Sequence, residues 1–160
     1  KRIRRAIPAG QLAQRIITST NPIIHMKITI ETTVHAPVGK TWNAWTTPEN
    51  ITQWNFASSD WQCPRADLFL VPGGKFNYRM EAKDGSFGFD FEGEFTSIHT
   101  HSAIESSLGD GRKVTVTFIP VPEGTRVVET FEAEDANSAE QQRQGWQAIL
   151  DNFKKHTEKL

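Results

Sequence analysis

From Met26 onward, hydrophobic positions recur mostly at every second residue, the period of strands that bury one face. Ile28, Ile30, Thr32 and Val34 alternate with Thr29, Glu31 and Thr33, which predicts a first strand. The period then changes. Pro37 suits the first turn of a helix, and Val38, Thr41, Trp42 and Trp45 share one face at helical spacing. Thr47-Pro48-Glu49 has the order of an N-cap, an N1 proline and an early acid, so a second short helix is expected to end near Trp54. Residues 57–60 read as loop, and a short strand is expected over Ala66 to Val71.

The middle of the chain reads as hairpins. Pro72-Gly73-Gly74 turns into a strand over Lys75–Lys83 with Phe76, Tyr78 and Met80 on one face. Asp84-Gly85 is a strong hairpin turn because both residues tolerate positive φ. Phe87, Phe89, Phe91 and Phe95 then alternate with Gly88, Asp90, Glu92 and Glu94, an aromatic face backed by an acidic one. Gly93 interrupts that strand and predicts a bulge or bend in a curved sheet. Three more strands are expected around Ala103–Leu108, Lys113–Ile119 and Thr125–Glu134.

The chain closes on a helix. Ser138 and Gln141 form a capping box, and Gln142, Trp146, Ile149, Leu150 and Phe153 make one stripe, with Arg143, Gln147, Asp151 and Lys154 expected to point away from it. The order is thus strand, two short helices, about six further antiparallel strands and a long helix. Such a sheet of about six to seven strands can wrap around one amphipathic helix, an α+β helix-grip arrangement. A curved sheet and a straight helix leave a cavity between them.

Composition narrows the class. At 160 residues the chain can form one core without staples. Cys63, the only cysteine, excludes an internal disulfide and fits a reducing cytoplasmic setting. No apolar run approaches the roughly 20 residues that span a bilayer. The net charge of −1 is unevenly spread: residues 1–25 carry five basic side chains and no acid, while residues 26–160 carry 13 basic and 19 acidic ones. Residues 1–25 are therefore expected to be an extension or an appended segment outside the domain at 26–160, with a basic targeting peptide or nucleic-acid arm as the alternative. The acidic remainder lacks the clustered Lys and Arg of a nucleic-acid surface.

Residues 26–160 also carry a family resemblance. Ala36-Pro37-Val38 with Trp42 and Trp45, then Pro48-Glu49, Trp54, Pro72-Gly73-Gly74-Lys75-Phe76, Met80 to Gly85, Phe89 to Gly93 and Gly145-Trp146 through Phe153 form the pattern. It resembles the START-like, or SRPBCC, superfamily, and within it proteins related to the C-terminal domain of the activator of Hsp90 ATPase. The resemblance implies a deep hydrophobic cavity between sheet and C-terminal helix, with Trp42, Trp45, Trp54 and Trp61 bordering its mouth. It names no ligand.

Candidate chemistry follows from the two faces. Phe76, Tyr78, Met80, Phe89, Phe91, Phe118, Phe131, Trp146 and Leu150 are expected to line the apolar pocket, since such sites are mostly apolar with a few orienting polar groups. Glu129 shares the alternation of Val127 and Phe131, so it is expected to face inward, where burial would raise its pKa. It is the one weak candidate for an acid or base. Asp90, Glu92 and Glu94 belong to the solvated face. His99 and His101 would lie on one side of a strand but lack further ligands, so no metal is expected. No cofactor or phosphate-loop motif is present, and Cys63 has no activating neighbour in sequence.

The expectation is a small-molecule binding protein for aromatic or lipid-like ligands, held by desolvation and by Tyr78, Glu129 or an indole N–H. Two alternatives stand beside it. One is a cyclase- or dehydratase-like enzyme using Glu129, and the other is a partner of an Hsp90-type chaperone. Free sheet edges leave a homodimer open.

Overall fold

A computed structural model describes residues 25–160. The expectation of an extension over residues 1–25 falls almost wholly outside the described residues. Ten elements follow in order: β1 (Lys27–Val34), α1 (Val38–Thr46), α2 (Pro48–Trp54), β2 (Trp61–Leu68), β3 (Lys75–Ala82), β4 (Gly88–His99), β5 (Ala103–Leu108), β6 (Lys113–Val121), β7 (Gly124–Glu132) and α3 (Ala139–Glu158). All seven strands form one antiparallel sheet in the order β1-β7-β6-β5-β4-β3-β2. Each consecutive pair from β2 to β7 is a neighbour, so only β1 travels, crossing to pair with β7. The helices lie on the inner face, and the molecule has the expected helix-grip form.

Helix α3 starts where the capping box places it. Ser138 Oγ accepts from the Gln141 N–H at 3.1 Å, and the Gln141 side chain accepts from the Ser138 N–H at 3.3 Å. Its stripe meets the core at Leu150 and Phe153, both fully buried. Three polar residues expected to point away have a structural task instead. Arg143 Nη1 donates to the Thr29 carbonyl at 2.9 Å, Gln147 Nε2 to the Glu31 carbonyl at 3.4 Å, and Lys154 Nζ to the Thr33 carbonyl. Glu158 then accepts from the His35 N–H at 3.1 Å. These groups occupy the free edge of β1, which an exposed edge strand would offer to another chain.

The opposite edge is also obstructed. Strand β2 begins at Trp61, five residues before the sequence expectation, because Pro64, Arg65 and Asp67 hide its alternation. Its register shifts between Gln62 and Arg65, with Pro64 inside the irregular stretch. Neither edge favours the edge-to-edge route to a homodimer.

Gly93 does not sit in the bulge expected of it. The irregularity in β4 falls between Phe95 and Ser97, and Gly93 pairs regularly with Phe76. What needs glycine there is close approach. A Cβ at Gly93 would lie 2.4 Å from the Ser107 carbonyl oxygen and 2.8 Å from Phe76 Cζ. The Phe76 ring therefore covers a strand position with no side chain of its own. Gly93→Ala should cost roughly 1–3 kcal/mol through overpacking, read as a lower denaturant midpoint at unchanged m-value. An unchanged midpoint would show that β5 can yield at no cost.

His99 ends β4 and His101 lies in the following turn at φ 64°, so the two imidazoles do not share a strand face. His101 instead packs edge-on against Trp42 at 6.0 Å. Among the described residues no cluster of three or more His, Cys, Asp or Glu is placed to hold a metal, and no helix is long and apolar enough to cross a membrane.

Candidate functional site

The sheet closes on α3 along β1, while β3 and β4 curl away from the N-terminal half of the helix. Between them lies a cavity of about 340 Å³. Helix α3 contributes Gln142, Trp146 and Ile149, and the facing strands contribute Tyr78, Met80, Phe89, Phe91 and Glu129. Trp45, Trp54 and Asn55 close the end formed by α1 and α2, and Arg112, Glu134 and Asn137 complete the wall. Two larger depressions, of about 890 and 990 Å³, are lined to a greater extent by charged and hydroxyl side chains such as Asp67, Lys75, Glu92 and Glu105. The aromatic cavity has the composition of a small-molecule site.

Its aromatic walls are held by ring contacts. Trp146 stacks on Phe131 at 4.0 Å with the planes 8° apart, and its edge meets Phe91 at 5.8 Å. Trp45 and Trp54 lie 5.0 Å apart, and both meet Phe153 from behind, at 4.9 and 5.0 Å. Trp54 Nε1 donates to the Ala44 carbonyl at 3.0 Å, which uses its polar end. The rings are therefore positioned by buried neighbours, as a preorganised site requires.

Most polar side chains in the wall are already engaged. Gln142 Nε2 donates to the carbonyls of Glu134 and Asn137, and its Oε1 accepts from the Glu134 N–H at 2.8 Å. Arg112 Nε donates to Asp110 at 2.7 Å. Glu134 accepts from the Ala136 and Asn137 N–H groups and the Asn137 amide, and these bonds hold its carboxyl below the usual range.

Glu129 differs from all of these. Its cross-strand partners are Ile30 on β1 and Val116 on β6, and along β7 its face continues with Val127 and Phe131. It is 6% exposed, and no hydrogen bond to its carboxyl is made among the described residues. Desolvation alone pushes its pKa up to about 8. The acid is therefore mostly protonated at neutral pH. Tyr78 is the second unengaged group, and burial followed by the nearby Cys63 thiol pushes its hydroxyl far up. Both are neutral hydrogen-bond donors in a chamber whose walls are largely aromatic.

Eight of the residues expected at a pocket line this cavity: Trp45, Trp54, Tyr78, Met80, Phe89, Phe91, Glu129 and Trp146. The other six stand elsewhere. Phe131, Phe118 and Leu150 are buried behind the walls, Trp42 packs against Phe118 at 5.2 Å, and Phe76 backs Tyr78 at 5.3 Å with its ring over Gly93. Trp61 backs Phe89 at 6.1 Å beside the exposed Phe87. Alternation assigns a face but cannot separate a wall residue from one a layer behind it. Asn55, Arg112, Glu134, Asn137, Gln142 and Ile149 were missed as wall residues. Gln142 and Ile149 were legible as part of the α3 stripe, whereas the others sit in connections or at element ends where no periodicity operates.

A curved antiparallel sheet gripping a C-terminal helix, with a cavity between them, defines the START-like class of fold. The profile of the family described as Activator of Hsp90 ATPase homolog 1-like protein matches residues 35–158. The chain belongs to that family. It is similar to the solution structure of an AHSA1-like protein from Aeromonas hydrophila, at 46% identity and TM-score 0.79, over 84% of this chain and 93% of that one. A solution structure from Cytophaga hutchinsonii is 45% identical with TM-score 0.73, over 83% and 92% of the two chains. A protein of Rhizobium leguminosarum is 26% identical with TM-score 0.70, over 86% and 97%. Comparison with curated proteins finds no match.

Proposed function

We propose that the protein binds a hydrophobic small molecule, aromatic or lipid-like, in the cavity between the sheet and α3. The observation that carries this reading is the buried Glu129 carboxyl, without a hydrogen-bond partner among the described residues, in a largely aromatic wall whose amide and other charged side chains are engaged elsewhere. An uncompensated buried acid costs stability, and such departures from a well-satisfied core concentrate at sites of function. A cavity of about 340 Å³ suits a guest of one to three fused rings or a short acyl chain. Binding would draw on desolvation of that guest, and one polar group on it would meet Glu129 or Tyr78. The same proposal places the protein in a reducing cytoplasm, in keeping with its single buried thiol, Cys63.

The test is an amide NMR titration with a mixed set of flavonoids, polyketide-like aromatics and fatty acids. Saturable shifts centred on Tyr78, Phe91 and Trp146, with little change at the depression beside Asp67 and Lys75, are the expected result. A well-dispersed spectrum that no compound perturbs would remove the reading and turn attention to an Hsp90-type chaperone, tested through the chaperone's ATPase rate.

A second reading is supported by the protonated state of Glu129. An acid with a pKa near 8 can donate a proton at neutral pH, as a cyclase- or dehydratase-like reaction would need. Turnover of a polyketide-like substrate that survives Glu129→Gln would remove this acid from such a role.

A further inference from the structure

Resting on the binding reading above, we infer that the cavity selects ligands carrying a basic nitrogen, with Glu129 as the buried counter-ion and the tryptophan faces as the cage around the cation. Three observations converge. The first is the acid itself, nine-tenths buried, aimed into the cavity and without a hydrogen-bond partner among the described residues. The second is the company it keeps. Phe131 follows Glu129 on the same face of β7 and holds Trp146 by stacking at 4.0 Å, so an indole borders the carboxyl's neighbourhood, and Trp45 and Trp54 close the same chamber. Ring faces attract a cation more strongly when water is excluded.

The third is charge. The other charged or titratable side chains on the cavity wall are Arg112, Glu134 and Tyr78. The Arg112 guanidinium is balanced by Asp110, whereas Glu134 stays ionised through its bonds to the Ala136 and Asn137 N–H groups. The nearest groups packed on Glu129 from β1 and β6 are Ile30 and Val116, which carry no charge. Once Glu129 ionises, the wall is net negative, and among the described residues it has no free cation to neutralise it. A neutral guest can hydrogen-bond the protonated acid but leaves the wall without an opposing charge once the acid ionises; an ammonium group supplies both the bond and the opposite charge.

The free protein holds Glu129 as a neutral acid at pH 7. An alkylammonium ligand enters as a cation, Glu129 releases its proton to solvent, and a carboxylate–ammonium pair remains. Affinity should therefore rise by roughly tenfold per pH unit through the acid range and level off near pH 8.

The experiment compares tryptamine with tryptophol, which share the indole and differ in an amine against a hydroxyl. Calorimetry in two buffers of different ionisation enthalpy counts the proton released. Tryptamine is expected to bind roughly tenfold or more tightly than tryptophol at pH 7, with close to one proton released, and Glu129→Gln should abolish both the preference and the release. Equal binding of the two probes, with no proton released, overturns the amine selection and leaves the cavity reading standing. Binding of neither overturns both. If Glu129→Gln folds but keeps the preference, another group is the counter-ion and the inference fails.

Discussion

Glu129→Gln will stabilise the protein progressively as pH rises from about 4.5 to about 8. The sign follows from proton counting. In the unfolded chain this carboxyl ionises near its ordinary value of 4.5, whereas in the folded chain it holds its proton to about 8. Between those limits the folded state binds more protons than the unfolded state, so wild-type stability falls as pH rises. Below the window both carboxyls are protonated, and glutamine, also neutral and similar in shape, changes little. Above it the variant gains the full difference, on the order of 5 kcal/mol if no water enters to solvate the ion. Denaturant unfolding of both proteins at pH 4.5, 6, 7 and 8 measures this directly. Parallel curves would mean that water or a neighbour already compensates the carboxylate.

Phe153→Ala should be the most damaging single change on the helix. Phe153 is fully buried and touches both Trp45 and Trp54. Removing the ring loses its transfer free energy and opens a void behind the cavity wall, which together cost roughly 3–5 kcal/mol. For a domain of this size that corresponds to a fall in Tm on the order of 10 °C. Because the two tryptophans rest on this ring, their fluorescence should also shift to the red under native conditions. A stable variant with unshifted emission would mean that the tryptophan pair is held by α1 and α2 alone.

The two substitutions concern opposite sides of one design. Phe153 is satisfied by its surroundings, and the protein depends on it for stability. Glu129 is not satisfied, and the protein is less stable for keeping it charged at high pH.

Part of this is legible in the chain itself. The α3 capping box, the Asp84-Gly85 turn and the inward register of Glu129 follow from local rules, because a two-residue or 3.6-residue period assigns a face without knowledge of what lies opposite. The start of β2 was hidden for an equally local reason: Pro64 and the charged residues after it break the alternation that marks a strand. Gly93 shows where local rules mislead. Its role depends on the Ser107 carbonyl and the Phe76 ring, neither of which is near it in sequence.

By itself, then, the sequence determined the element order, the inner faces of β1, β3, β4 and β7, and the family. Those properties depend on periodicity, turn chemistry and the spacing of a few residues. Only the tertiary structure decided which inward residues reach the cavity and which lie a layer behind. Only it revealed that Arg143, Gln147 and Lys154 serve the edge of β1, and that Glu129 has Ile30 and Val116 beside it with no partner for its carboxyl among the described residues. The physical reason is the curvature of the sheet, which sets the gap to a straight helix through contacts between residues far apart in the chain.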